Sequence, residues 1–579
     1  MSDASRARRP RHAVALSAAL VLAGCTSDTG ASDTRANDGP DGGEHDAAPP
    51  QAAGQFEALP RVATTNGGDY RVAWRSIPDP IPENEPFQLL VRLEKSAGSG
   101  PVAAELGLQV GAWMPSHQHG MTRRPLVRRL ENGCFSVEGL LLHMAGEWQL
   151  QFDLLHAGRI ERAVFDVALL PPPATQALEG FDPDDVGRIL ALSPLPPAPD
   201  DPTNAHDQDG AAARLGQFLF FDARLSASGS VACASCHVPE LGWSDGKPLA
   251  DVGTPLARHT MSLWNVAYGR WFFWDGRADS LWSQALHPLE DAREHASDRV
   301  SIARLFLDDA ELRRAYTEVF GPLPDLSDRL PARGMPVPGS PDDPLAAAWN
   351  ALDDPDREAV ERVFSDVGKA IAAFEREIVT GDSPFDVFVA GLRDGDPARI
   401  DVLSAAARRG LKLFLGKANC HACHAGPEFT DREFHDNRAP SRPELPADRG
   451  RMQGIPAVLA DVFNGLGPYS DGHDPDSREK LERTVPAGRG RSEFKTPTLR
   501  NVARTAPYMH QGQLATLAEV IDFYSDAIPP PPLHGERVLT RLHLSAEEKA
   551  DLLAFLESLS SPELPPELMR QPASPCAER

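Results

Sequence analysis

Two pentapeptides constrain this chain more than any other feature: Cys233-Ala-Ser-Cys236-His237 and Cys420-His-Ala-Cys423-His424. Both read C-x-x-C-H. The spacing lets two thiols add to the two vinyl groups of one haem while the adjacent imidazole swings onto the iron. A single such pair in a reducing compartment reads equally well as a zinc or thiol-redox motif. Two of them, each behind an amphipathic segment, point to two covalent haem c groups. Cys233, Cys236, Cys420 and Cys423 are then the attachment points, and His237 and His424 the proximal iron ligands. The chain must build two haem-enclosing units, and its 579 residues leave room for two to four domains.

The N-terminus carries an export address. Arg6, Arg8, Arg9 and Arg11 precede a short apolar run, Ala13 to Ala23, too short to span a bilayer. The run ends Leu22-Ala23-Gly24-Cys25, which resembles a lipobox and predicts a lipid anchor on Cys25. The expected location is the periplasm, tethered to membrane, and Thr26 after the anchor points to the outer membrane. Residues 26–55, rich in Asp, Gly, Ala and Ser, read as a disordered tether. A formal net charge of −25 argues against a nucleic-acid partner. It suits a basic redox donor or plain solubility. Cys134 and Cys576 are left over, either as a disulfide or as two separate thiols.

Residues 56–172 hold short apolar or alternating runs, among them Phe87–Leu93, Leu106–Trp113, Cys134–Leu142, Trp148–Leu155 and Ala163–Leu169. They suggest an all-β sandwich of immunoglobulin-like type. Prolines in 173–205 suggest a linker. Helical periodicity then marks Ala211–Phe221, Asp356–Val379, Val402–Leu415, Leu517–Tyr524 and Ser545–Leu559. Gly321–Pro344 and Pro440–Pro486, dense in proline, read as surface loops. The expected architecture is multidomain: the sandwich, a helical haem domain over 206–400, a second over 401–562, and a tail from 563 to 579.

Several ordered motifs carry a family resemblance across residues 206–560: "LGQFLFFDARLSASGSVACASCH", "FWDGRADSLWSQAL", "AIAAFEREIVTGDSPFD", "GLKLFLGKANCHACH" and "TPTLRNVARTAPYMHQG". In this order they resemble the bacterial di-haem cytochrome c peroxidases and their relative MauG. The resemblance implies that the first haem is the reactive one, with Gln284 and Glu294 of Q-A-L-x-P-x-x-x-x-x-E over its distal face. Glu294 would move the peroxide proton and Gln284 would hold peroxide in line; by spacing alone Glu294 reads as a solvated residue. Trp274 matches the tryptophan that relays electrons between the haems. Trp264, Trp271 and Trp282 nearby read as buried core. Ordinary family members cap the resting first iron with a loop histidine, but Asp245–Arg258 contains none. Asp251 lies near the expected place, and His259 is the only histidine in reach. A constitutively open first haem is therefore expected.

For the second haem the resemblance places Tyr524 where ordinary peroxidases carry methionine and MauG carries tyrosine, with Met509 as competitor for the sixth position. An oxyanion ligand lowers the potential, whereas methionine raises it. The carbonyls of Thr505 and Pro507 match calcium ligands, but His259 replaces an asparagine that completes that site, and imidazole suits a hard cation poorly. In the N-terminal region His117, His119, Met121 and His143 form a His/Met cluster suited to copper, in a pattern resembling YtkA-like domains. A turn histidine pair with core methionines explains the same residues. The expected function is a periplasmic oxidoreductase reacting with hydrogen peroxide in a MauG-like mode and oxidising aromatic residues of a partner protein. One alternative is a peroxide scavenger fed by a small cytochrome c or cupredoxin. The other is a non-catalytic electron-transfer cytochrome.

Overall fold

Tyr70–Ile77 shows the pattern that organises the first part of the chain, with Tyr70, Val72, Trp74 and Ser76 buried and Arg71 and Arg75 exposed. The computed structural model describes residues 59–576, except 60, 83–85, 97–101, 103–105, 116–118, 122–124, 131–132, 143–145, 157–158, 170–177, 179, 327–329, 473–479, 482–491 and 530–538. Two units divide the chain, the first made of residues up to Ala168 apart from Glu83–Glu85 and Leu142–Gly146, which group with the second unit from Leu169 onward.

The first unit is strand-rich: β1 Arg61–Thr64, β2 Tyr70–Ile77, β3 Phe87–Lys95, β4 Gly107–Met114, β5 His119–Gly120, β6 Leu126–Arg129, β7 Cys134–Leu140, β8 Gly146–His156 and β9 Arg159–Leu169. One sheet runs β1-β2-β3-β7-β6 and the other β5-β4-β8-β9. Trp74 from the first sheet meets Phe152 and Phe165 from the second, with ring centroids 6.1 and 5.6 Å away, so the sheets face each other. β2 was absent from the expected strands because Arg71 and Arg75 interrupt its apolar residues.

The second unit is helical: α1 Pro183–Ala191, α2 Gly210–Phe220, α3 Leu281–Glu290, α4 Arg299–Asp308, α5 Ala310–Phe320, α6 Pro344–Asn350, α7 Asp354–Glu375, α8 Pro384–Asp394, α9 Pro397–Ile400, α10 Ala405–Leu415, α11 Arg451–Ala460, α12 Leu517–Asp522 and α13 Ala546–Glu557. It holds two cores. One gathers Leu215, Trp243, Trp282, Phe306 and Phe364; the other gathers Leu190, Phe385, Leu411, Phe429 and Phe555.

The two halves repeat one another. Thr260-Met-Ser-Leu-Trp-Asn-Val-Ala267 and Thr496-Pro-Thr-Leu-Arg-Asn-Val-Ala503 share Thr, Leu, Asn, Val and Ala. Asn265 and Asn501 both adopt left-handed backbone, at φ 58° and 60°. Each half also crosses two helices at a glycine. A Cβ on Gly216 of α2 would overlap the Ala370 carbonyl of α7, and one on Gly410 of α10 would overlap the Asp551 carbonyl of α13.

Three segments differ from the proline-based expectation. Residues 183–191, expected as linker, form α1, capped by Asp182 and started by Pro183, with Ile189 and Leu190 in the second core. α8 joins that same core through Phe385 and Phe388, so the second half begins before residue 400. α11 lies inside the expected loop 440–486. Its buried Arg451 stacks on Trp271 and donates to the Gly276 carbonyl, 2.7 Å away.

Candidate functional site

Each C-x-x-C-H occupies one 3₁₀ turn, Cys233–Ser235 and Cys420–Ala422. The His237 amide donates to the Cys233 carbonyl and the His424 amide to the Cys420 carbonyl, both at 2.9 Å. His237 Nδ1 lies 3.1 Å from the Trp243 carbonyl, and His424 Nδ1 lies 2.9 Å from the Phe429 carbonyl. A carbonyl only accepts, so Nδ1 carries the proton and Nε2 keeps its lone pair for a metal. Burial lowers both imidazole pKa values against the pull of those carbonyls, favouring the neutral, ligating form.

Both cysteine pairs are free of disulfides. Burial pushes the Cys236 and Cys420 thiols up to about 12, opposite to the lowered pKa of a redox C-x-x-C pair. These residues fit covalent haem at both places.

The residues expected over the distal face of the first haem lie on α3 and the turn after it. Ser280 caps the helix by accepting from the Ser283 amide. Gln284 and Pro288 then lie one turn apart on one face. The chain doubles back: the Glu294 amide donates to Asp291 O, that of His295 to Pro288 O at 3.2 Å, and that of Ser297 to Leu289 O. Glu294 and His295 therefore stand beside Pro288. The Glu294 carboxyl lies within electrostatic range of Cys233, Cys236, Arg277 and His287. Burial, then the charge of Asp291, raises its pKa above the usual carboxylate range.

The same register in the second half carries a different residue. Thr516 caps α12 as Ser280 caps α3, and Tyr524 stands as far past Thr516 as Pro288 past Ser280. Tyr524 lies in the field of Cys420 and Cys423 and hydrogen-bonds with the Asn437 side chain. Asn437 Nδ2 also donates to Met509 Sδ, 3.3 Å away, so both expected sixth-ligand candidates meet at Asn437.

The halves join at a symmetric seam. The His259 amide donates to His510 O and the Lys495 amide to Trp274 O, both at 2.9 Å. Trp274 Nε1 donates to the His259 carbonyl, also at 2.9 Å, which puts the indole at this seam. His259 Nδ1 lies 2.7 Å from the Lys247 carbonyl, and the ring also hydrogen-bonds with the Thr505 carbonyl. Asp251 is also engaged, its Oδ1 accepting from the Gly253 amide. The Thr505 carbonyl, one of the expected calcium ligands, pairs with the His259 imidazole.

The copper cluster lies largely outside the described residues. His117 and His143 fall there, as does the side chain of His119, while the Met121 amide pairs with Ala112 O. Cys576 is a free thiol accepting from Arg314 Nε, so it forms no disulfide with Cys134. The tail carrying it is strapped to the first half, where Gln217 donates to the carbonyls of Glu567 and Arg570. His295 and the Pro288–Tyr524 correspondence had escaped the sequence reading. The repeated T-x-x-L-x-N-V-A segments were the signal that could have exposed the second.

Two Cys-x-x-Cys-His turns, repeated within one helical unit and joined at a tryptophan seam, define a c-type cytochrome with two haems. A family model described as di-haem cytochrome c peroxidase matches residues 210–394. Cytochrome-c peroxidase IdrP1 of Denitromonas iodatirespirans is 33% identical over 64% of this chain and 87% of its own length. Methylamine utilization protein MauG of Methylorubrum extorquens is 35% identical over 60% of this chain and 77% of its own. A crystal structure of a MauG-like protein associated with microbial copper homeostasis covers 65% of this chain and 97% of its own, at 26% identity and a TM-score of 0.44. The chain belongs to the di-haem cytochrome c peroxidase and MauG family and is an oxidoreductase.

Proposed function

We propose that this enzyme reduces hydrogen peroxide at the haem held by His237, in a MauG-like mode, and draws the two electrons from aromatic side chains of a partner protein. One observation carries the reading: Pro288, whose ring offers no donor atom, stands in the first half where Tyr524 stands in the second. Haem, when bound, supplies an iron at which the O–O bond can be cleaved. Glu294 takes the proton from the peroxide oxygen nearer the iron and gives it to the farther one, which leaves as water. The Gln284 amide orients peroxide by hydrogen bonding. The raised pKa of Glu294 suits a group that must both accept and return a proton near neutral pH.

With haem bound, Tyr524 would hold the second iron through its phenolate oxygen and Trp274 would carry electrons across the seam. The Arg-rich leader and Cys25 support a periplasmic location on a lipid anchor, where the enzyme would meet its protein substrate. Stopped-flow absorbance after mixing the diferric protein with stoichiometric hydrogen peroxide tests the reading. A prompt spectral change without prior reduction supports it. A requirement for one-electron reduction favours the scavenger fed by a small cytochrome c or cupredoxin, and no change at all favours the electron carrier.

A further inference from the structure

We propose that His295 is a second polar group of the first haem pocket, hydrogen-bonding beside Glu294 to the small molecule bound at that iron. The inference rests on the open first haem proposed above. His295 is 4% exposed and, among the described residues, neither ring nitrogen has a well-aligned hydrogen-bond partner, although the Pro288 carbonyl draws on the ring. Burying a polar group unpaired destabilises the fold, and an apolar side chain would fill this place without that cost. The imidazole is therefore matched to something outside the protein chain.

Its position says what that is. The His295 amide is bonded to the Pro288 carbonyl, on the distal register, and its ring lies in the electrostatic field of His237, the proximal ligand. Burial holds its pKa down at about 4, so the ring is neutral and offers one N–H and one lone pair. The turn that carries it is tightly specified. The Ala227 amide donates to the His295 carbonyl at 3.0 Å, and Ala296 is held in left-handed backbone at φ 52°. Arg333 pins the turn by donating to the Ala296 carbonyl and to the fully buried Asp298. A non-glycine residue in that region persists only where its surroundings enforce it.

In this arrangement Glu294 moves the proton, and His295 steadies the bound oxygen atoms without changing its own protonation state. The split gives each group one task. It predicts effects on ligands that need no proton transfer at all.

The experiment uses full-length protein loaded with both haems. Cyanide affinity is measured for the diferric form, and the infrared C–O stretch is recorded for the carbon monoxide adduct of the reduced form. In His295→Leu the cyanide dissociation constant of the first haem rises on the order of tenfold, the worth of one hydrogen bond. The C–O stretch shifts as well. His295→Asn, which keeps a donor, recovers part of both effects, and an unchanged second-haem spectrum shows that each variant is folded. Cyanide affinity and C–O stretch both unaltered in His295→Leu would overturn the proposal. So would loss of a low-spin bis-imidazole signal in that variant, because His295 would then be an iron ligand. Failure of the wild-type diferric protein to bind cyanide would instead remove the open-haem reading beneath it.

Discussion

Burial and the charge of Asp291 keep the Glu294 carboxyl protonated to higher pH than a carboxylate in water. The base form appears only above that raised pKa, so the acid limb of kcat/KM for peroxide sits above the range near pH 4 expected of an ordinary glutamate. Glu294→Gln should lower kcat/KM by about 10²–10⁴-fold and abolish that limb, as read from initial rates across pH. Retention of the limb in the variant would assign the proton transfer elsewhere. Glu375 shows the same physics without a catalytic task. It is buried near Cys233, its Oε2 has no hydrogen-bond partner, and burial pushes its pKa up to about 8. The folded chain then keeps a proton that the unfolded chain loses above roughly pH 4.3, so this group's contribution falls as pH rises from there to about 8. The slope is about 1.4 kcal/mol per pH unit. Wild-type Tm should therefore drop between pH 5 and 8 relative to Glu375→Gln; parallel Tm profiles would contradict this account.

The paired helix crossings depend on two glycines. In both α2 over α7 and α10 over α13 an added methyl would collide with a facing carbonyl. Gly216→Ala and Gly410→Ala should each cost at least the 1–3 kcal/mol typical of overpacking, seen as a lower denaturation midpoint at unchanged m-value. A neutral effect would show that these crossings have slack. Elements of this kind were largely legible beforehand, because heptad-like spacing in Asp356–Val379 and the Ser545–Glu548 capping box are local signals. What escaped was carried by tertiary context. α1 and α11 hide among prolines and hold their form by packing into neighbouring cores or onto Trp271. The haem attachment residues were readable from spacing alone. His295 was not, because only the fold-back onto Pro288 brings it to the first haem site.

As a whole, the helical unit is one half-molecule built twice and then made unequal. Three of the unequal pairs lie at the site: Pro288 against Tyr524, Trp274 against His510, and His259 against Lys495. His259 also stands at the seam where the family resemblance implies the asparagine of a calcium site. Purified protein should carry no stoichiometric calcium by elemental analysis, and treatment with a chelator should leave its ferric spectrum and peroxide reactivity unchanged. A chelator-sensitive spectrum would reinstate the metal. The inequality at Pro288 matters most, since it decides whether two similar haems share work or duplicate it. Low-temperature electron paramagnetic resonance of the resting diferric protein reads this directly. The account predicts one high-spin signal from the His237 haem and one low-spin signal from the His424 haem; two low-spin signals would contradict it.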